Sequence, residues 1–550
     1  MATNEDAQEA VKCKVIIIGA GMAGLSAASL LANNNMTDFI ILEARNRIGG
    51  RIVSIEKDGS KLELGANWIH GVLGNPMYEM AVVHNLIDIV QIPKPHKVVA
   101  ATEDGKQVPF SLLQEIYEAY TCFLHRCEEY FLCQYLPPSG IESVGEHIEL
   151  EIALYLERIP DQDERRLRRL VFDCLLKRET CISGCDTMSD IDLLELGSYT
   201  ELQGGNISLP SGYSSILEPA SKDIPIEKIL KKHVVNTIRW APSDWTGEDD
   251  VASDDSERTV VGSDLSNGPQ DINSNSRKNS LKDSNGVNSS NSTPVEVLCE
   301  NGSTFLADHL ICTIPLGVLK DKADSLFIPP LPPQKREAID KLLFGTVDKI
   351  FLSYDRPFLH PDISEVMLLW SHDPTAKDDI AENWFKKIYS FSKISDTVLL
   401  GWISGKEAEY METLPESEIA DKCTLVLRKF LNDPFVPKPK FCICTHWRKE
   451  QYTRGSYTAM AVGASQCDIE NLAQPLYTDV SQTKPKVLFA GEHTHSSFYS
   501  TVHGAYLSGR ACAQLLLDSD RPESSVATAC PDTADLSSWI RGISLEDYSM

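Results

Sequence analysis

An α/β fold is predicted by three features of the first fifty residues. Lys14-Val-Ile-Ile-Ile18 is a β-branched run of the kind that makes a parallel strand covered on both faces. Gly19-Ala-Gly21-Met-Ala-Gly24 follows it directly and opens an apolar helix over about 22–33, and Asp38-Phe-Ile-Ile-Leu42 supplies a second strand ending at Glu43. Strand, glycine turn, helix and strand make one βαβ unit of Rossmann type. In such a unit Gly19, Gly21 and Gly24 permit the tight turn and let the backbone approach a pyrophosphate, which rests on amide donors at the positive helix end. Glu43, nineteen residues beyond Gly24, is placed to accept hydrogen bonds from ribose hydroxyls and disfavours a 2′-phosphate. The apolar run Val15 to Ala32 is broken by these glycines and has no basic flank, so it is not read as a membrane span.

The later chain is of a different kind. Residues 110–135 carry Leu112, Leu113, Ile116, Tyr120, Phe123 and Leu124 at helical spacing, and 146–176 continue helical with charged faces. From about 300, short strands such as His309-Leu-Ile-Cys-Thr313 and Lys349-Ile-Phe-Leu-Ser353 mix with helices, which predicts a second, α+β unit. Lys486-Val-Leu-Phe-Ala490, ending in Gly491-Glu492, brings the first architecture back near the C-terminus. Segment 243–293 is rich in Ser, Asn, Asp and Gly and poor in large apolar side chains, so it is expected to be a long disordered loop. Its flanks, Val234 to Trp240 and Val295 to Ala307, read as neighbouring strands.

At 550 residues the chain has room for two or three domains, and 42% hydrophobic with 24% charged residues excludes collagen, coiled coil and wholesale disorder. An excess of 79 acidic over 52 basic residues gives a net charge of −27, which argues against nucleic acid and for a polycation as partner. The fifteen cysteines include no C-x-x-C pair and read as reduced thiols, and Cys442, Cys444 and His446 lack the paired spacing of a zinc site. No metal site is expected. The start, Met1 to Lys12, is acidic without a hydrophobic leader, and Asp547 to Met550 is neither a peroxisomal tail nor a prenylation box. A cytoplasmic protein is expected, with the nucleus as a further compartment.

The residues beyond Glu43 carry a stronger signal. Glu43-Ala-Arg45-Asn-Arg47-Ile-Gly49-Gly50-Arg51 and Glu63-Leu-Gly65-Ala66-Asn67-Trp68-Ile-His70-Gly71 are followed far along the chain by GTVDKIFLSYDRPF, GWISGKEAE, RGSYTAMAVGAS and LFAGEHTHSSFYSTVHGAYLSGR. With these motifs, from about 14 to 516, the sequence resembles the flavin amine oxidase family and, within it, the polyamine oxidases. The resemblance implies a discontinuous FAD-binding domain from 12–85, 205–315 and 440–518. A substrate domain of mixed sheet flanked by helices would comprise 86–204 and 316–439, with a polar tail at 519–550. FAD would be held without a covalent link. Gly19, Gly21, Gly24, Glu43, Arg45, Gly50, Arg51, Gly65, Ala66, Asn67, Trp68, Val235, Trp402, Trp447, Glu492, Thr501 and Val502 are the implied cofactor contacts.

Lys349 sits in an apolar strand where alternation would bury it beside Val347 and Phe351, and a buried lysine is costly without a partner or a task. The matching lysine of the family holds a water against the flavin. His70 matches a histidine placed to bind the substrate amine or remove its proton, which suits a group that titrates near neutrality. Together, Lys349 and His70 are the expected catalytic pair. Trp68, Tyr452, Tyr457 and Thr501 would line a narrow tunnel, and Asp190 and Glu201 would receive distal ammonium groups, although the matching residues vary within the family and Ser198 stands where the most similar group has a carboxylate. The implied reaction is oxidation of a small polyamine such as spermine by O2, without nucleic-acid or membrane partners; segment 243–293 reads as a tolerated insertion, with regulatory contacts or a localisation role as the alternative. N1-acetylpolyamine oxidation, histone-lysine demethylation and a non-catalytic flavoprotein scaffold are the alternatives.

Overall fold

The structure, a computed structural model, describes residues 9–87, 97–242, 294–371, 379–478 and 483–520. Strand β1 (Val11–Ile18) is exposed at its start and fully buried from Val15 onward. Helix α1 (Met22–Asn33) follows, and β2 (Phe39–Glu43) returns parallel to β1. The βαβ unit read from the sequence is therefore present. On its far side β1 pairs in parallel with Thr304–Cys312, and β2 pairs in parallel with Ile229–Lys231. Thr304–Cys312 also pairs in parallel with Val487–Phe489, so the end of the chain rejoins its beginning in one eight-stranded sheet.

Val235–Arg239 and Val295–Cys299 pair antiparallel, as expected for the flanks of an insertion. The segment between them, 243–293, lies outside the described residues, as does 521–550 of the tail. The last described helix, Val502–Ser519, crosses α1 so closely that a Cβ at Gly509 would fall 2.0 Å from the Ala23 carbonyl oxygen. Ser26 Oγ closes the same crossing by donating to Tyr506 O at 2.8 Å.

The second sheet has six strands in the order Phe441–Cys444, Val347–Ser353, Val398–Ser404, Ser390–Ser395, Ile363–Leu369 and Lys97–Thr102, antiparallel except for the last pair. Three helices pack near it: Phe110–Leu132, Val144–Glu157 and Gln162–Ser183. The continuous helix expected over 146–176 is two helices. Pro160 cannot donate to a helical ladder, and Asp161 starts the next helix by accepting from Glu164 N at 2.8 Å. All seven residues of Val347–Ser353 are buried, so alternation shows as a choice of faces rather than as exposure. Ile350 and Leu352 enter the domain core, whereas Val347 and Lys349 face a cavity. Leu62, Phe351, Val398 and Leu400 form an apolar seam between the hairpin Ser54–Glu63 and this sheet. Among the described residues no helix is long and apolar enough to cross a membrane.

Candidate active site

One cavity of about 1620 Å³ runs between the two sheets and takes its walls from both. Gly19, Gly21, Glu43, Arg45, Gly50 and Arg51 line one end. Gly65, Ala66, Asn67, Trp68 and His70 follow on a single loop and short strand, with Val235 nearby. Lys349, Trp402, Trp447, Tyr452 and Tyr457 come from the second sheet and the loops beyond it, and Glu492, Thr501 and Val502 from the chain's last turn and helix. Residues scattered over some 480 positions thus meet in one space.

Two expected residues do not join them. Gly24 lies beneath the turn, where a Cβ would come 2.0 Å from Gly19 O, so its task is helix-to-strand packing rather than contact with a ligand. Asp190 is absent from the lining. Its Oδ2 accepts from Thr187 N at 2.8 Å and caps a short 3₁₀ turn, a local bond that wins over a projection into the cavity. Ser198 likewise turns away, donating to Glu195 O at 2.6 Å.

The cradle end has the chemistry of an anion and ribose site. Glu43 is held rigid because its two oxygens accept from Ala20 N at 2.8 Å and Arg45 N at 2.7 Å. At the start of α1, Gly21 offers no capping side chain and the first turn holds no acid, so its amide donors are left to a ligand. Across the slot a Cβ on Gly50 would stand 3.4 Å from Gly21 Cα, which a glycine leaves open. Deeper in, Arg51 pairs with Glu492 at 2.9 Å and also donates to Ser456 O at 2.7 Å. Burial pushes the Glu492 carboxyl up, but Arg51, His493 and a hydrogen bond from Thr458 outweigh it and leave it below the ordinary carboxylate range. The N-terminal amides of Val502–Ser519 add a second positive end, capped by Thr501, whose Oγ1 accepts from Gly504 N at 2.9 Å. These residues fit a dinucleotide cofactor of the FAD kind.

Lys349 is 3% exposed, and its Nζ donates to Glu63 O at 2.6 Å, Gly65 O at 2.7 Å and Asn67 Oδ1 at 3.3 Å. It lies 4.7 Å from the centre of the Trp402 ring, which stacks on Trp68 at 5.7 Å. Burial lowers its pKa to about 7, against the opposing charge of Glu63. On the other side of the same loop, Trp447 Nε1 donates to Leu64 O at 3.1 Å. His70 pairs across strands with Asn206, its Nδ1 2.9 Å from Asn206 Oδ1. An amide oxygen can only accept, so Nδ1 carries the proton and Nε2 is left as an acceptor. Burial depresses the His70 pKa, with Asn206 and Glu201 opposing. Tyr457 donates through its hydroxyl to Cys181 O, at the end of helix Gln162–Ser183.

Three cavity acids were not singled out from the sequence, Glu128, Glu179 and Glu365, and the first two join Glu201. Burial pushes Glu179 up to about 7, with Arg178 opposing and Glu128 adding to the rise. Glu128 is raised by burial and by Glu201, with His125 opposing. The missed signal was an acid interrupting an apolar i, i+4 stripe: Leu124, Glu128 and Leu132 on one helix, Val171, Leu175 and Glu179 on another, all lining the cavity.

A backbone-built dinucleotide cradle opening into an aromatic chamber with a buried lysine suits a flavin-dependent oxidoreductase. The family model for flavin containing amine oxidoreductases matches residues 22–244 and 265–517, and the chain belongs to that family. It is an FAD-dependent amine oxidase. A human relative, peroxisomal N(1)-acetyl-spermine/spermidine oxidase, is 32% identical over 531 residues, 93% of this chain and 96% of its own. Polyamine oxidase 1 of Oryza sativa subsp. japonica is 26% identical over 92% of this chain and 98% of its own. A solved putrescine oxidase variant with redesigned cofactor binding shares the fold at TM-score 0.59 and 15% identity, covering 93% of this chain and all of that one.

Proposed function

We propose that this chain oxidises a polyamine at a secondary amine, with spermine as substrate: spermine, O2 and water would give spermidine, 3-aminopropanal and hydrogen peroxide. The observation that carries this reading is the acid wall. Glu128, Glu179 and Glu201 face one cavity with His70 and an aromatic chamber, an arrangement suited to a long apolar chain bearing several ammonium groups. FAD, when bound, supplies the acceptor for the hydride from the carbon beside the amine nitrogen.

The protein's own residues prepare the amine. An ammonium has no lone pair, so the reacting nitrogen must be neutral, and His70 Nε2 is free to take its proton. Trp68, Trp402 and Tyr457 confine the methylene chain, and the distal ammonium groups sit against the acids. Lys349 holds the Glu63–Asn67 loop by three hydrogen bonds and stands at the chemical end of the chamber. Cys181 is the one cysteine lining the cavity among the described residues, and burial pushes its thiol up to about 11, which supports non-covalent FAD.

N1-acetylspermine is a second reading, favoured by the named activity of the human relative. Stopped-flow anaerobic bleaching of the flavin with spermine, N1-acetylspermine and a monoamine tests both. Fastest reduction by spermine is expected. Faster reduction by the acetylated amine moves the assignment to the second reading, and equal reduction by the monoamine ends the polyamine proposal.

A further inference from the structure

Lys349 has a neighbour that the scheme above does not use. Asp348 leaves the same strand on the opposite face and is completely buried, and Glu412, following helix Gly405–Met411, is 3% exposed. Asp348 Oδ1 accepts from Thr445 Oγ1 at 2.6 Å and Trp447 N at 3.2 Å. Its Oδ2 has no donor among the described residues. Glu412 accepts from Arg448 N at 2.8 Å and Lys449 N at 3.0 Å, and Lys449 Nζ reaches the Glu412 carbonyl. The two carboxyls lie within hydrogen-bonding reach of each other and are both buried, so two ionised carboxylates here would face each other away from water, a conflict that one proton between them removes.

Among the described residues the nearest cations are engaged elsewhere, with Lys449 Nζ held on the Glu412 carbonyl. Arg448 Nε turns to Glu409 at 3.5 Å, Glu409 also accepts from Thr346, and Glu416 is occupied by Cys444 N at 3.3 Å. The Lys349 ammonium is on the far face, and His446 lies between Thr445 and Trp447 in the same turn. Burial and the Glu412 charge hold the Asp348 pKa well above its ordinary value, with Thr445 opposing.

Thr445 connects the pair to the chamber. Its hydroxyl accepts from Lys349 N at 2.8 Å while its own N–H donates to Lys349 O at 3.0 Å. Trp447 then grips Leu64 O, and Lys349 grips the carbonyls of Glu63 and Gly65 on either side of it. We propose that Asp348 and Glu412 share one proton and act as a positioning pair, fixing Thr445 and Trp447 and, through them, the Lys349 ammonium and the loop walling the cavity. The inference deepens the functional reading and rests on it for the role of Lys349.

Melting the flavin-loaded chain between pH 6 and 9 tests the shared proton. An acid whose pKa is raised by folding stabilises fully below its unfolded pKa and loses that contribution as pH rises through the folded value. Asp348→Asn keeps a neutral donor toward Glu412 and does not titrate, so its Tm should gain on the parent's steadily as pH rises. A deficit equal at every pH would instead mean an ionised aspartate and overturn the proposal. Positioning is read from the pH midpoint of flavin reduction. Asp348→Val should move it by about one unit away from neutrality, and Asp348→Asn should restore it. Thr445→Val, which cuts only the hydroxyl, should shift it the same way if Asp348→Val does not fold. An unmoved midpoint in the folded variant refutes the positioning role. Lys349→Met with unchanged kinetics would remove the lysine reading alone, the melting comparison still deciding the shared proton.

Discussion

The two ends of the cavity are built by different means. The cradle is walled chiefly by main chain: the first amides of α1, the slot between Gly21 and Gly50, and one side chain, the Glu43 carboxylate, fixed by two backbone N–H groups. The chamber is walled by side chains delivered by separate elements: Lys349 from a strand, Tyr457 beyond it, and Glu128 and Glu179 from two helices. A main-chain site tolerates no added atom. A side-chain site tolerates exchange and changes its preference instead.

The sharpest break in this comparison is Gly24→Val. A side chain cannot occupy a point 2.0 Å from Gly19 O, so the turn must open at a cost above about 4 kcal/mol. The purified variant should be colourless or insoluble, and a normal flavin spectrum would show that packing beneath the turn is dispensable. Next in size is Glu179→Gln. With a carboxyl of pKa about 7, the parent loses this negative charge as pH falls from 8 to 6, so its KM for spermine should rise over that range. The variant should start with a KM roughly five- to tenfold higher at pH 8 and show a flatter profile, with kcat little changed. Parallel profiles would take Glu179 out of substrate binding. The smallest effect belongs to Asp190→Asn: an amide oxygen still caps the Thr187 turn, so KM should stay within about twofold and stability within about 0.5 kcal/mol. A large KM change would return Asp190 to the site.

The same contrast explains what could be read in advance. The cradle was legible because glycine spacing and a strand-end carboxylate are local patterns, and β1, α1 and β2 fall where they point. Gly24 lies beneath the turn instead of on the cavity wall, since a motif gives residue types but not which of them face the opening. In the chamber, Lys349 was conspicuous as a charge in an apolar strand. Glu128 and Glu179 were not, because an acid on a helix ordinarily faces water, and only the packing of three helices against the second sheet turns these two inward. Asp190 lies off the lining for a related reason: an acid three residues after a threonine is as good a cap as a ligand, and the nearer hydrogen bond is the one formed.

The crossing of α1 with helix Val502–Ser519 has a consequence for biosynthesis. More than 450 residues separate the two helices in sequence, yet the crossing and the parallel partner Val487–Phe489 complete the floor of the nucleotide site. At ribosomal rates of roughly 5–20 residues per second, the first βαβ unit waits on the order of tens of seconds for its last neighbour to emerge. Until that helix emerges, the flank of α1 that it covers lacks its native partner, and the crossing cannot form before the described chain is nearly finished.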